Sequence, residues 1–294
     1  AAGSFSRGRC AMTIAETLES AGRRLAAAGV TEPRREAASL LAFALGKDRI
    51  FLIAHPERQL TENEVIAFDK YLSRREDREP FQYITGRQEF FGSDFLVTPD
   101  VLIPRPETEI LVEAAINRMP KEKPVSICEV GIGSGCISIS LLDAMPNATA
   151  VGLEISEAAI GVARINAERI GVSDRFKIRH SDLFAALSDE KFDMIVSNPP
   201  YVSADEYDVL QAEVGRYEPK DALTDGSDGL SIVRRIILSS PEYLHPGGWL
   251  LMEIGLGQAP QVEQMFDRNL WPVLELLNDL QGIPRTIVAR PSDA

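Results

Sequence analysis

From Val125 onward, short apolar runs of β-prone residues alternate with segments of helical period, and that succession leaves few architectures open. Candidate strands cover 125–130, 148–153, 175–179, 192–197, 247–254, 271–277 and 285–290; candidate helices cover 135–145, 156–171, 228–243 and 258–269. Strands joined through helices run parallel, and the helices then cover both faces of the sheet. Only the short loop from Asn278 to Pro284 separates the last two strands, which predicts an antiparallel pair there. The expected fold class is α/β, with a mostly parallel seven-stranded sheet and an antiparallel last strand.

Ahead of that succession the pattern differs. Apolar positions recur at helical spacing in Ile14, Leu18 and Leu25, then in Ala37, Leu40, Leu41, Ala44 and Leu45. Thr31-Glu32-Pro33 offers a cap and an early-helix proline, Gly46 a stop signal, and Thr61-Glu62-Asn63-Glu64 a capping box. These features predict a small all-α domain over 1–80. Phe81 to Gly86 and Glu89 to Val97 are aromatic and β-prone, which predicts a β-hairpin linker over 81–98. Pro99 to Pro106 holds three prolines, a helix follows over 107–118, and 99–294 forms the larger domain.

Charge separates the two parts. Residues 1–80 carry 13 Lys and Arg against 12 Asp and Glu, leaving 18 against 32 for the rest, an imbalance of −14. A protein that grips duplex DNA carries a basic footprint, so the larger part is a poor candidate for an extended nucleic-acid contact. No run of about 18 apolar residues exists, which excludes a membrane-spanning helix. Ala1 to Cys10 lack an apolar core and read as a disordered start, not a secretory signal. Cys10, Cys128 and Cys136 have no metal-ligand spacing, and His55, His180 and His245 are scattered, so no metal site is expected. Three thiols without a disulfide framework fit a reducing cytoplasm.

The strand Val125–Val130 runs into Gly131-Ile132-Gly133-Ser134-Gly135, after which a helix begins. Glycines at such a turn permit positive φ and let backbone approach a ligand. Phosphate loops, dinucleotide sites and methyl-donor sites all share this feature. The loop lacks the Lys-Ser/Thr of a P-loop, and its third glycine arrives one residue early for G-x-G-x-x-G. The acids nearby discriminate further. Glu129, two residues before Gly131, repels a pyrophosphate but suits an ammonium group. Glu154 ends the next strand, placed to accept both hydroxyls of a ribose. Asp182, beside Leu183, ends the third, placed to accept from an adenine amino group. Any one of these acids also reads as a solvated loop residue. Together with the loop they describe S-adenosylmethionine: amino acid, ribose and base in order.

Asn198-Pro199-Pro200-Tyr201 ends the apolar run 192–197. Two prolines cannot donate backbone hydrogen bonds and hold an extended path, which frees the carbonyls nearby. Asn198 adds a side-chain acceptor and Tyr201 an aromatic face. The tetrapeptide is either a Pro-rich turn or a rigid cradle for a planar group carrying NH2.

With the glycine loop, these residues resemble the class I S-adenosylmethionine-dependent methyltransferases that act on exocyclic nitrogens. Further segments resemble one family in particular, the release factor glutamine N5-methyltransferases of the HemK/PrmC type. They are Phe90-Phe91-Gly92, Val101 to Glu109, Tyr217-Glu218-Pro219, Asp228-Gly229-Leu230, Pro246-Gly247-Gly248 and Glu253-Ile254-Gly255. Many relatives have Asp where this chain has Glu129 and Glu154. The resemblance implies a Rossmann-like domain after a small all-α substrate-recognition domain. It also implies methyl transfer from S-adenosylmethionine to the side-chain amide of a glutamine in peptide chain release factors. The cofactor residues it implies are Glu129, Gly131, Ile132, Gly133, Ser134, Gly135, Glu154, Asp182, Leu183 and Asn198. The implied catalytic set is Asn198, Pro199, Pro200 and Tyr201: Asn198 Oδ1 and the Pro199 carbonyl accept the two amide protons, Pro200 stiffens the loop, and Tyr201 packs on the flat amide. Arg105 and Glu107 are expected either in a loop over the cofactor or at a helix entry, and Phe91 either at the site border or in the core. A cytoplasmic monomer without membrane or stable nucleic-acid partner is expected. The alternatives are an adenine-N6 nucleic-acid methyltransferase, a glutamine methyltransferase acting on a ribosomal protein, and a non-catalytic nucleotide-binding scaffold.

Overall fold

The computed structural model describes residues 12–120 and 122–292; the expected disordered start, Ala1 to Cys10, lies outside the described residues. The chain divides into two compact units, Ala1–Thr85 and Gly86–Ala294.

The first unit is helical: α1 Ile14–Ala27, α2 Pro33–Leu45, α3 Arg49–Ala54, α4 Glu62–Glu76 and α5 Phe81–Thr85. Thr13 with Glu16 and Thr61 with Glu64 form reciprocal capping boxes at the starts of α1 and α4. Pro33 opens α2, and Gly46 closes it in the left-handed region at φ 60°. Leu25, Leu40, Leu41, Phe68 and Leu72 interlock in its core. The segment 81–86, expected as β, is instead helix α5. Tyr83 and Ile84 are buried there, and Ile84 joins this same core. Burial of one apolar face has overridden the local β preference.

The second unit opens with the hairpin β1 Arg87–Phe90 and β2 Ser93–Leu96. It is no free linker, because Phe90 and Phe95 belong to the unit's main core. Asn166 also clasps it, accepting from Leu96 N at 2.8 Å and donating to Leu96 O at 3.0 Å. The chain continues as α6 Thr108–Arg118, β3 Val125–Val130, α7 Cys136–Ala144, β4 Ala148–Glu154, α8 Glu157–Ile170, β5 Phe176–His180 and β6 Phe192–Ser197. Then follow α9 Ala204–Tyr207, α10 Ala212–Tyr217, α11 Ser231–Ser239, β7 Leu244–Glu253, α12 Ala259–Glu263, β8 Val273–Asn278 and β9 Pro284–Arg290.

The sheet order is β5-β4-β3-β6-β7-β9-β8. The first five strands pair in parallel, and β9 runs antiparallel to both its neighbours. Alternate residues serve opposite faces: Val125 and Ile127 enter one apolar core, Cys128 and Val130 the other. Both faces are covered, as a parallel sheet requires. The strand order reverses direction at β3, so a crevice opens at the carboxyl ends of β3 and its neighbours.

Two predicted helices are shorter than expected. The segment 228–230 stays in a loop because Asp225 accepts from Ser227 N, Gly229 N and Ser231 N, and α11 begins at Ser231. Helix α12 stops at Glu263, and the turns after it seat Phe266 edge-on against Trp271 at 5.3 Å. Among the described residues no helix is long and apolar enough to cross a membrane.

Candidate functional site

The carboxyl ends of β3, β4, β5 and β6, together with the segment before α6, enclose a cavity of about 620 Å³. The glycine loop forms one wall. Gly131 and Gly133 hold φ of 74° and 52°, and a Cβ on either would meet nothing within 4 Å, so bare backbone faces open space. Gly135 differs. It is not a lining residue, and its added Cβ would lie 2.8 Å from Ile139 Cδ1 and 3.3 Å from Ala163 Cβ. Its place is the close packing of α7 on α8, not contact with a ligand. Ile132 and Ser134 do line the cavity, and Asn166 Nδ2 donates to the Ser134 carbonyl at 2.9 Å.

The three predicted acids have three different environments. Glu129 is 1% exposed; its Oε2 accepts from Ser138 N at 2.8 Å, while its Oε1 has no hydrogen-bond partner among the described residues. Burial pushes its carboxyl up to about 8, against the pull of Ser138 and with Glu154 adding to the rise. Glu154 is also buried, but backbone amides fill it: Gly133 N on Oε2 at 2.9 Å, and Ile155 N and Ser156 N on Oε1 at 2.9 and 3.0 Å. It braces the glycine loop from the next strand. Asp182 is exposed and paired with Arg235 at 3.0 Å, although it lines the cavity. Leu183 beside it holds φ of 47°, its carbonyl accepting from Ser181 Oγ at 2.6 Å.

Asn198, Pro199 and Pro200, which follow β6, also line the cavity. Asn198 Nδ2 donates to Thr108 Oγ1 at 3.2 Å. Thr108 in turn donates to Glu253 Oε2 at 2.6 Å, and Tyr201 Oη donates to Glu253 Oε1 at 3.0 Å. Among the described residues no protein donor takes Asn198 Oδ1 or the Pro199 carbonyl. Tyr201 departs from its expected place. It is not a lining residue; its hydroxyl is drawn to the buried Glu253, and a Cβ on Gly255 would come within 3.1 Å of its ring. Burial, then the adjacent Glu253 charge, raises the phenol well above its ordinary range, so it stays a donor. Gln258 Nε2 holds the Tyr201 carbonyl at 2.7 Å, and Gly229 has no Cβ because one would collide with that carbonyl.

Arg105 lines the cavity and pairs with Glu218, which also accepts from Ile103 N at 3.1 Å. The bridge ties the Pro104-Arg105-Pro106 segment to the stretch that precedes Pro219. Glu107 stands at the N-cap position of α6 without a side-chain capping bond, and it is not a lining residue. Phe91 packs against the main core, its N donating to Glu109 Oε1 at 2.8 Å. Sequence reasoning gave Thr108, Glu218 and Glu253 no roles. A signal existed for Glu253, an acid closing the apolar run Trp249 to Met252.

Family models match both units. A PrmC N-terminal domain model matches residues 16–86, and a methyltransferase small domain model matches residues 107–216. A release factor glutamine methyltransferase of Geobacter sulfurreducens is 45% identical over 278 residues, covering 95% of this chain and 96% of its own. One of Koribacter versatilis is 43% identical over 280 residues, covering 95% and 99%. Among solved structures, a methyltransferase from Pyrococcus furiosus superposes with a TM-score of 0.51 at 15% identity, over 68% of this chain and 89% of its own. The 16S rRNA N2 G1207 methyltransferase of Thermus thermophilus, in complex with AdoMet and guanosine, gives 0.50 at 20% identity, over 70% and 49%. These two likenesses bear on the fold alone.

Proposed function

The chain belongs to the release factor glutamine methyltransferase family, and from that premise we propose that its cavity takes S-adenosylmethionine at the glycine loop and a glutamine side chain at Asn198 and Pro199. The enzyme methylates glutamine in peptide chain release factors. The observation that carries the site reading is one cavity with two complementary vacancies for hydrogen bonds. Among the described residues, the buried Glu129 Oε1 on one strand lacks a donor, and so do Asn198 Oδ1 and the Pro199 carbonyl, which follow the neighbouring strand.

The residues present fit the donor molecule. An unpartnered buried carboxylate oxygen calls for a cation or N–H donor, and the ammonium of an amino acid supplies both. Gly131 and Gly133 leave open space for it to lie against backbone. Glu154, which keeps lone pairs beyond its three backbone amides, and Asp182, paired with Arg235, stand farther along the same wall for ribose and base. When bound, S-adenosylmethionine supplies a methyl on a sulfonium, already a strong electrophile.

The protein's contribution is therefore mainly positioning. An amide nitrogen is a weak nucleophile because its lone pair is delocalised into the carbonyl. Two fixed acceptors, Asn198 Oδ1 and the Pro199 carbonyl, hold the two N–H bonds of the glutamine and stop rotation about its C–N bond. Pro199 and Pro200 keep that acceptor pair rigid. The helical unit is the part we assign to release-factor recognition.

Incubation with methyl-labelled S-adenosylmethionine and either release factor or DNA tests this reading. Label is expected on a release-factor glutamine, and Asn198→Ala is expected to lower turnover about 10²–10³-fold, the usual scale for one lost preorganised partner. Label on DNA alone, or near-normal turnover in Asn198→Ala, would overturn it.

A further inference from the structure

With Glu253 ionised, the buried chain Asn198–Thr108–Glu253–Tyr201 has a fixed donor–acceptor parity. Thr108 has one hydroxyl proton, and it goes to Glu253 Oε2 at 2.6 Å. Toward Asn198 the hydroxyl is then left with lone pairs only, so it must face the amide NH2, which lies 3.2 Å away. The two orientations of the Asn198 amide differ by a half-turn about its last torsion. Only the one that turns Oδ1 away from Thr108 is compatible with this chain. Tyr201 gives its proton to the other oxygen of Glu253 at 3.0 Å, so donors occupy both sides of the carboxylate.

We propose that Glu253 is a positioning residue for methyl transfer, acting through Thr108 to hold the Asn198 amide with its Oδ1 toward the acceptor glutamine. The proposal rests on the reading of Asn198 as an acceptor for the glutamine NH2. Glu253 is 2% exposed, at a depth where a carboxylate is costly. Its useful property is that, ionised, it only accepts. A glutamine in its place carries an NH2 that lets Thr108 turn its proton toward Asn198. The Asn198 amide then reverses and sets NH2 against the substrate's NH2, donor facing donor. An apolar residue at 108 likewise leaves the orientation of Asn198 unspecified.

The test is a double-mutant cycle read as methyl transfer at saturating substrates, donor affinity by calorimetry, and melting temperature. Thr108→Val is expected to lower turnover by about 10- to 100-fold, the scale on which a supporting hydrogen-bond partner acts, with donor affinity nearly unchanged. Thr108→Ser, which keeps the hydroxyl, restores turnover. In an Asn198→Ala background Thr108→Val costs no further turnover, because its effect passes through Asn198. Glu253→Gln, nearly isosteric, lowers turnover comparably, and it decides the matter if Thr108→Val does not fold. A full additional loss from Thr108→Val in the Asn198→Ala background overturns the positioning role, as does wild-type turnover in Glu253→Gln. If Asn198→Ala loses turnover while Thr108→Val and Glu253→Gln keep it, only the positioning role fails. If Asn198→Ala itself keeps turnover, the acceptor reading of Asn198 fails first.

Discussion

Two glutamates are buried at the site, Glu129 lining the cavity and Glu253 behind it, and the two are wired oppositely. At the donor end, Glu129 holds Ser138 N with one oxygen and leaves the other empty. At the acceptor end, Glu253 is filled by Thr108 and Tyr201. Burial pushes both carboxyls upward, but only Glu253 has two side-chain donors pulling against it. Glu253, off the cavity wall with side-chain hydroxyls on both oxygens, is scaffold, because its neighbours already hold it and it holds them. A buried carboxylate left half-satisfied costs stability until a ligand arrives. The contrast assigns Glu129 to binding and Glu253 to orientation, although each is an acid at the end of an apolar strand.

The largest expected effect that sharpens this contrast is on stability against pH. Burial pushes Glu129 up to about 8 in the folded chain, above the ordinary carboxylate value it has when unfolded, so between those values the folded state keeps a proton that the unfolded state has lost. Ligand-free stability is therefore expected to fall as pH rises from about 4.5 to about 8, by on the order of a few kcal/mol. Glu129→Gln should flatten that decline in urea titrations run at several pH values; an unchanged slope would break the contrast. Next in size, Glu129→Gln should weaken S-adenosylmethionine binding by about 1.5–3 kcal/mol, the worth of a charged hydrogen bond, with turnover at saturation largely kept. That is the mirror image of the pattern expected for Thr108→Val, and calorimetry beside initial rates separates the two. The smallest effect concerns the loop. Gly135→Ala should cost about 1–2 kcal/mol of stability for its left-handed backbone, with donor affinity nearly intact. A selective loss of donor affinity with unchanged melting would return Gly135 to the binding surface.

Much of the fold was legible because its signals are local. The strands 125–130 and 192–197 coincide with the observed β3 and β6, since short, mostly apolar runs bounded by charge or turn residues read the same in any context. The antiparallel β8–β9 pair followed from loop length alone. Where the reading failed, a distant contact had overruled local preference. Phe81–Thr85 became helical because Ile84 found the helical core. Phe90 and Phe95 drew the hairpin into the larger unit. The α11 start was displaced by the Asp225 loop. At the site, the glycine loop, Glu129, Glu154 and the Asn-Pro-Pro run were visible as residue types at strand ends. The Thr108–Glu253 bond was not, because it joins residues 145 apart.

By itself the sequence determined the alternation of strand and helix, the bare backbone at Gly131 and Gly133, and the presence of acids and acceptors where strands end. Those follow from periodicity and from the conformational limits of single residues. Only the tertiary structure decided which acid remains empty, which braces a loop and which orients an amide. Hydrogen-bond satisfaction depends on what the fold brings within about 3 Å, and partners at that range come from anywhere along the chain. Tyr201 shows the difference most plainly: the tetrapeptide places it beside the site, and Glu253 turns its hydroxyl away from the cavity.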